Sequence, residues 1–271
     1  MGHTRLGSIP KTQKWKSVVS LIAGGGATGA GAGSSTLLAE DVETIALQAL
    51  DAAQNGLKAA IDDIGLQYVF YMLTQLVLSS RGDDWQAQLE NIGIQLSEDA
   101  TVFDLTAAFQ NVIDDYLFEH SRSSDISEIA QKAAGEAITA LASINQLSLL
   151  DSSRDELKSV IHSLSTKNGF SRLGQVFFGR FMSRFLNFYL SRVTAAHLDS
   201  DRLQQIGDVS NFNQVLQRHC EQSARILYEF CGQWYSKTEF QQGIDLYNAS
   251  RFMAVAMKKL QAELKQQRGE V

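Results

Sequence analysis

From Lys11 to Val271 the chain contains no proline. Sandwiches and barrels turn often and place prolines in those turns, whereas long helices exclude proline from their interiors. After residue 35 the apolar residues recur with a helical period almost throughout, and no run alternates as a strand would. Leu38, Val42, Ile45, Leu47, Ala49 and Leu50 make one stripe; Phe103, Leu105, Phe109, Val112, Ile113, Tyr116 and Leu117 make another. Thr101 with Asp104, Ser124 or Asp125 with Glu128, and Ser153 with Glu156 read as helix starts that satisfy free backbone N–H groups. Ser236 with Glu239 fits the same pattern, after a long helix expected to end near Trp234 and Tyr235. The spacing predicts an all-α fold, a multi-helix bundle of roughly eight to ten helices over 36–271. It forms one bundle or two abutting ones, 36–167 and 168–271. Residues 1–35 read as a basic N-terminal segment and a Gly/Ala-rich linker. At 271 residues, 44% hydrophobic and 20% charged, the chain can bury a large core.

The formal net charge of −6 is unevenly spread. Residues 1–39 carry four bases and no acid; 40–167 carry seven bases and 21 acids; 168–271 carry 13 bases and nine acids. Such blocks either pair with one another inside the fold or offer sided electrostatics to a partner.

Residues 24–35 read GGGATGAGAGSS, and Gly24, Gly26 and Gly29 satisfy G-x-G-x-x-G behind the apolar run SVVSLIA. A dinucleotide turn needs a strand before it, and an acidic residue at a second strand end about twenty positions on. Glu43 stands at that distance but inside a helical stripe, and no G-K-[ST] follows for a phosphate loop. The run reads as a linker, and no dinucleotide is expected.

Other chemistries are excluded by spacing. There is no C-x-x-C and no H-x-x-x-H, and the paired E-x-x-H motifs of a di-iron bundle are missing. Asp115 and Glu119 share a helix face beside His120, which reads as a solvated helix face and not as a metal site. Cys220 and Cys231, read on one helix, would face one way about 16 Å apart, too far for a disulfide. Two free thiols fit a reducing, cytoplasmic setting. His219 beside Cys220 and Ser236 beside Lys237 resemble nucleophile–base pairs only by adjacency, and neighbours on a helix diverge. The stretch 64–80 is short for a bilayer span and reads as a buried helix. Its counterpart near the N-terminus, VVSLIA, is too short for a signal-peptide core. No catalytic residue, cofactor or metal is expected.

Two regions are candidates for binding. Residues 157–198 hold Lys158, Lys167, Arg172, Arg180, Arg184 and Arg192 and no acid. On a helix Phe177, Phe181, Phe185, Phe188 and Arg192 share one side, and Arg180 and Arg184 flank it one turn apart. Such a helix is either central, with arginines at its rim or paired to the acidic block, or an anion site. The second is KTQKWKSVVSLIA, where Lys11, Lys14 and Lys16 surround Trp15: a basic amphipathic segment able to dock outward or fold back onto the bundle. Together these features lead to three expectations. The first is a non-catalytic scaffold or adaptor that binds other proteins in a bacterial-type cytoplasmic assembly. The second is an effector that binds anionic lipid or nucleic acid through Lys11, Lys14, Trp15, Lys16, Arg180, Arg184 and Arg192. The third is an all-α enzyme whose site is assembled from distant residues.

Overall fold

The computed structural model describes residues 11–24, 37, 39–144, 153–198 and 203–266. Among these residues there are twelve α-helices, one 3-10 turn at Ala224–Ile226 and no strand. The helices run α1 Gln13–Ala23, α2 Ala39–Ala52, α3 Gln54–Ile61, α4 Ile64–Ser79, α5 Trp85–Asn91 and α6 Val102–Glu119. They continue with α7 Asp125–Ile144, α8 Arg154–Leu164, α9 Lys167–Ala196, α10 Ile206–Ser223, α11 Leu227–Gln242 and α12 Leu246–Gln266.

The 30-residue α9 is the axis of the molecule. Phe170, Phe177, Phe178, Phe181 and Phe185 are fully buried on it. Helices α7, α10 and α11 pack along its length, with α8, α2 and α1 completing the surround. A helix apolar on most sides has no other stable place. Phe70 of α4 is the hub of the neighbouring aromatic cluster, with ring centroids 5.4 to 6.2 Å from Phe178, Phe252, Trp234, Phe177 and Phe170. Side chains from α1 through α12 join a single core.

Such crowding needs small residues where helices cross. A Cβ on Gly174 of α9 would stand 2.5 Å from Cys231 Sγ of α11. On α11, a Cβ on Gly232 would overlap Ser171 Oγ and lie 2.9 Å from the Lys167 carbonyl oxygen. Each helix thus presents a glycine to the other's side chain, and the two backbones approach closely.

Two expected capping boxes form as read. Thr101 accepts from the Asp104 N–H at 3.3 Å while Asp104 accepts from the Thr101 N–H at 2.8 Å. Ser153 and Glu156 repeat the exchange at 3.3 and 2.8 Å. At α7 the partner differs from expectation: Ser124 and Ser127 cap each other at 2.9 Å, and Glu128 instead binds Lys132. The box at Ser236 does not form a helix start. Helix α11 runs through it to Gln242; Glu239 is held by Arg81 at 2.9 Å, and the chain turns only at Gly243, where φ is +75°. The break falls earlier, at Ala224–Ile226, so Cys220 and Cys231 sit on α10 and α11 and not on one helix. That turn lets α10 and α11 both follow α9, with Glu221 and Ala224 against Gly179. No glycine or proline marks it, which is why the helix count exceeds the sequence expectation.

Helix α1 opens at Thr12, whose hydroxyl accepts from the Trp15 N–H, and closes at Gly24 with φ +87°. The apolar run before the glycines is therefore a helix, not the strand a dinucleotide turn requires. Trp15, Val18 and Ile22 are buried against α2 and α9. Gly26, Gly29 and the rest of the expected linker lie outside the described residues. The apolar stretch 64–80 is the buried α4, and no helix among the described residues is long and apolar enough to cross a membrane.

Two substitutions test this packing. Phe70→Ala is expected to lower the free energy of unfolding by about 3–5 kcal/mol in a denaturant titration. Gly232→Ala, the addition of a single methyl group, is expected to cost about 1–3 kcal/mol, because the new Cβ meets backbone and not only a movable side chain.

Candidate functional site

Along α9 the apolar surround opens on one stripe, Arg180, Ser183, Arg184, Asn187, Phe188 and Ser191, spaced by three and four residues. This stripe faces Asp125, Glu128, Ile129, Lys132 and Glu136 of α7, which follow the same helical spacing. Between the two stripes, with Gln217 of α10 at the edge, lies a cleft of about 290 Å³. Glu136 is level with Arg184 and Asp125 with Tyr189, so the two helices run antiparallel.

The charges in the cleft are matched. Arg184 donates from Nε and Nη2 to both carboxylate oxygens of Glu136, with Nε to Oε2 at 3.1 Å. Lys132 pairs with Glu128 one turn away at 2.5 Å. Arg180 Nε lies 3.0 Å from Glu221 Oε1 of α10, too bent to be a formed hydrogen bond. The sequence expectation that the arginines meet the acidic block holds for Arg184; Arg180 finds its acid in the basic half. Arg192 is exposed near the end of α9 and does not line the cleft. Deeper on the stripe, Asn187 Oδ1 and Ser191 Oγ are buried without a protein hydrogen-bond partner. Sequence reasoning singled out the arginines and missed Asn187 and Ser191. Their signal was a polar residue at every turn of an otherwise apolar helix.

The other candidate residues lie elsewhere. Lys11, just before α1, and Lys14 and Lys16 on it are exposed, and Lys14 pairs with Asp51 of α2 at 2.8 Å. Trp15 is 2% exposed, with its ring centroid 5.2 Å from that of Tyr189. Its side chain belongs to the core, apart from the lysines that surround it in sequence. None of these four residues touches the cleft lining.

A second surface was not legible as a site. Tyr68 of α4 stacks on Tyr116 of α6 with centroids 3.6 Å apart, and Tyr116 stacks on His120 at 4.2 Å. Tyr71 adjoins Tyr68 at 6.1 Å. The three tyrosines are half-buried. Burial, reinforced by Tyr116, Tyr71 and the Glu119 carboxylate, raises the Tyr68 hydroxyl from 10.0 to about 12. Burial and the Asp245 carboxylate raise Tyr71 as well. Asp115 and Glu119 are exposed beside this face, and no group of metal-ligating side chains occurs among the described residues.

The adjacent nucleophile–base pairs do not become sites. Cys220 and Cys231 are free and fully buried, and burial pushes both thiols well above their ordinary range. His219 is 4% exposed, with Nδ1 3.9 Å from Glu43 Oε1 and Nε2 unpartnered. Burial lowers its pKa, opposed by the Glu43 carboxylate. Ser236 and Lys237 are exposed on α11 and point apart. The cleft lining contains neither histidine nor cysteine.

No protein-family model matches the chain. No curated protein and no solved structure matches it either.

The buried groups give two measurable consequences. Because His219 is held neutral in the fold, the unfolded chain binds more protons as pH falls below about 6.5, so its contribution to stability is full above that pH and is lost below it. His219→Gln is expected to flatten the dependence of unfolding free energy on pH between 6.5 and 5. Alkylation followed by mass spectrometry is expected to label Cys220 and Cys231 only when the chain unfolds.

Proposed function

We propose that the chain is a non-catalytic helical scaffold or adaptor that binds other proteins, within a cytoplasmic assembly, through the tyrosine face of α4 and α6. The observation that carries it is the column of Tyr71, Tyr68, Tyr116 and His120 at the surface. Tyrosine is enriched at protein interfaces because it buries a rigid ring at small entropic cost and keeps a hydroxyl for hydrogen bonding. Burial is the main cause of the raised Tyr68 and Tyr71 hydroxyls, and the Glu119 and Asp245 carboxylates add to it, so the face combines π surfaces with acidic flanks. That chemistry suits a partner presenting arginine or lysine, which gains both charge complementarity and cation–π contact.

The alternative partners, anionic lipid or nucleic acid, have less support. Arg180 and Arg184 are neutralised by Glu221 and Glu136, and the apolar side of α1 is buried, which leaves exposed lysines alone. An enzyme site has less again, since no histidine or cysteine reaches the cleft.

A photoreactive phenylalanine analogue placed at Tyr71 is expected to cross-link one defined protein in fixed stoichiometry, read by native mass spectrometry. The same probe at the exposed Lys258 of α12 is expected not to. Tyr71→Arg is expected to weaken that partner at least tenfold, about 1.4 kcal/mol. Equal cross-linking from both positions, or an unchanged affinity in Tyr71→Arg, rejects the docking face. Binding that instead fades with salt and with Lys11, Lys14 and Lys16 all changed to glutamine selects the anionic partner.

A further inference from the structure

The cleft between α7 and α9 has no part in the docking face, and its chemistry is of another kind. It is electrically balanced where Lys132, Arg180 and Arg184 meet Glu128, Glu221 and Glu136. A simple anion would have to compete with these carboxylates. Spare donors nevertheless remain at this end. A guanidinium has five N–H groups, and Glu136 takes only the Nε and Nη2 edge of Arg184. At the other end the balance is incomplete. Asp125 lines the cleft half-buried, and no cation pairs with it among the described residues. Between the ends, Asn187 Oδ1 asks for a donor and Ser191 Oγ for either partner. Buried polar atoms that the protein leaves unpaired are a demand for a ligand or water that supplies the missing bonds.

The separation of the ends sets the ligand's length. From Asp125 to Lys132 is seven residues of α7, about 10 Å, and to Glu136 eleven residues, about 16 Å. The long side chains of Lys132, Arg180 and Arg184 bridge part of that span. Two or three residues of extended chain cover about 7–11 Å. The volume of about 290 Å³ suits a ligand of that size, and Ile129 and Phe188 give its side chains an apolar wall.

We propose that this cleft binds a short linear zwitterion, a di- or tripeptide with free ends. Its ammonium group lies against Asp125 and Asn187 Oδ1, and its carboxylate meets the spare donors of Arg180, Arg184 and Lys132. A ligand of this class supplies Asp125 with its missing cation, gives Asn187 its donor, and brings a carboxylate that the spare guanidinium donors can take. A single free amino acid is too short to reach both ends.

Calorimetric titration of the full-length chain with alanyl-alanine and with trialanine tests this directly. Saturable 1:1 binding by at least one of them is expected, at concentrations below a few millimolar. N-acetylation or C-amidation of the same peptide is expected to weaken binding at least tenfold, and free alanine is expected not to bind. Asn187→Ala is expected to reduce affinity at least tenfold while circular dichroism shows an unchanged helical fold, and Ser191→Ala provides a milder second variant. No binding by either peptide up to 10 mM overturns the proposal. So does equal binding by the end-blocked peptides, or an affinity that neither variant changes. A cross-linked partner at Tyr71 is read separately, so failure here leaves the docking face standing and failure there leaves the cleft standing.

Discussion

Enclosure of α9 is the constraint on which the molecule is built. Five phenylalanines leave no broad polar side to this helix. Once it is central, every other helix is placed by what it must cover. Close approach then demands small residues at the crossings, met by Gly174 and Gly179 on α9 and Gly232 on α11. It also demands that the chain double back along the same axis, which the 3-10 turn at Ala224–Ile226 achieves without a helix breaker. The turn exists because both α10 and α11 gain more by lying on α9 than a straight helix would gain from continuous hydrogen bonds.

A central helix still carries polar residues, and where they emerge decides where chemistry is available. On α9 they emerge on a single stripe, and α7 answers with a stripe of its own. One ion pair, Arg184–Glu136, crosses between the two stripes, while Lys132 pairs with Glu128 within α7 and Arg180 with Glu221 of α10. The paired side chains are 24–40% exposed, so these pairs contribute little to stability. Their larger effect is to offset the positive charge of Arg180 and Arg184 at the cleft, while Arg172 and Arg192 stay exposed on the same helix. The polar atoms not consumed by the pairing, Asn187 Oδ1, Ser191 Oγ and the Asp125 carboxylate, are what distinguish the cleft from an ordinary helix–helix contact.

The aromatic residues divide in the same way. Phe70, five phenylalanines of α9 and both cysteines go to the interior, where the thiols lose their reactivity to burial. Tyrosines 68, 71 and 116 stop half-buried at the boundary, Tyr68 stacked on Tyr116 and Tyr71 tilted beside it. Function in this chain is therefore sought at its margins, in an exposed ring system and a half-closed seam. The nucleophile–base adjacencies of the sequence have no such margin: His219 and Cys220 are sealed in, while Ser236 and Lys237 stand free in solvent.

The sequence by itself determined the helical class. Proline-free length, periodic apolar residues and local caps such as Thr101–Asp104 are short-range properties, and the bonds that satisfy them form within a turn or two. It also pointed to burial of the 64–80 stretch, because apolar surface of that extent has to leave water. What it did not determine was whatever depends on residues far apart in the chain. The S-x-x-E pattern at Ser236 is indistinguishable locally from the working box at Ser153, yet Arg81, more than a hundred and fifty residues away, takes Glu239 and the helix continues. Trp15 reads equally as an outward anchor and as a residue folded back, until Tyr189 is placed over it. Arg184 reads as an anion site or as the partner of an acid, until Glu136 reaches it. In each case the side chain's own chemistry was legible from the start. Its partner was chosen by how helices pack around α9, and only the partner decides whether a charge or a ring remains available to bind.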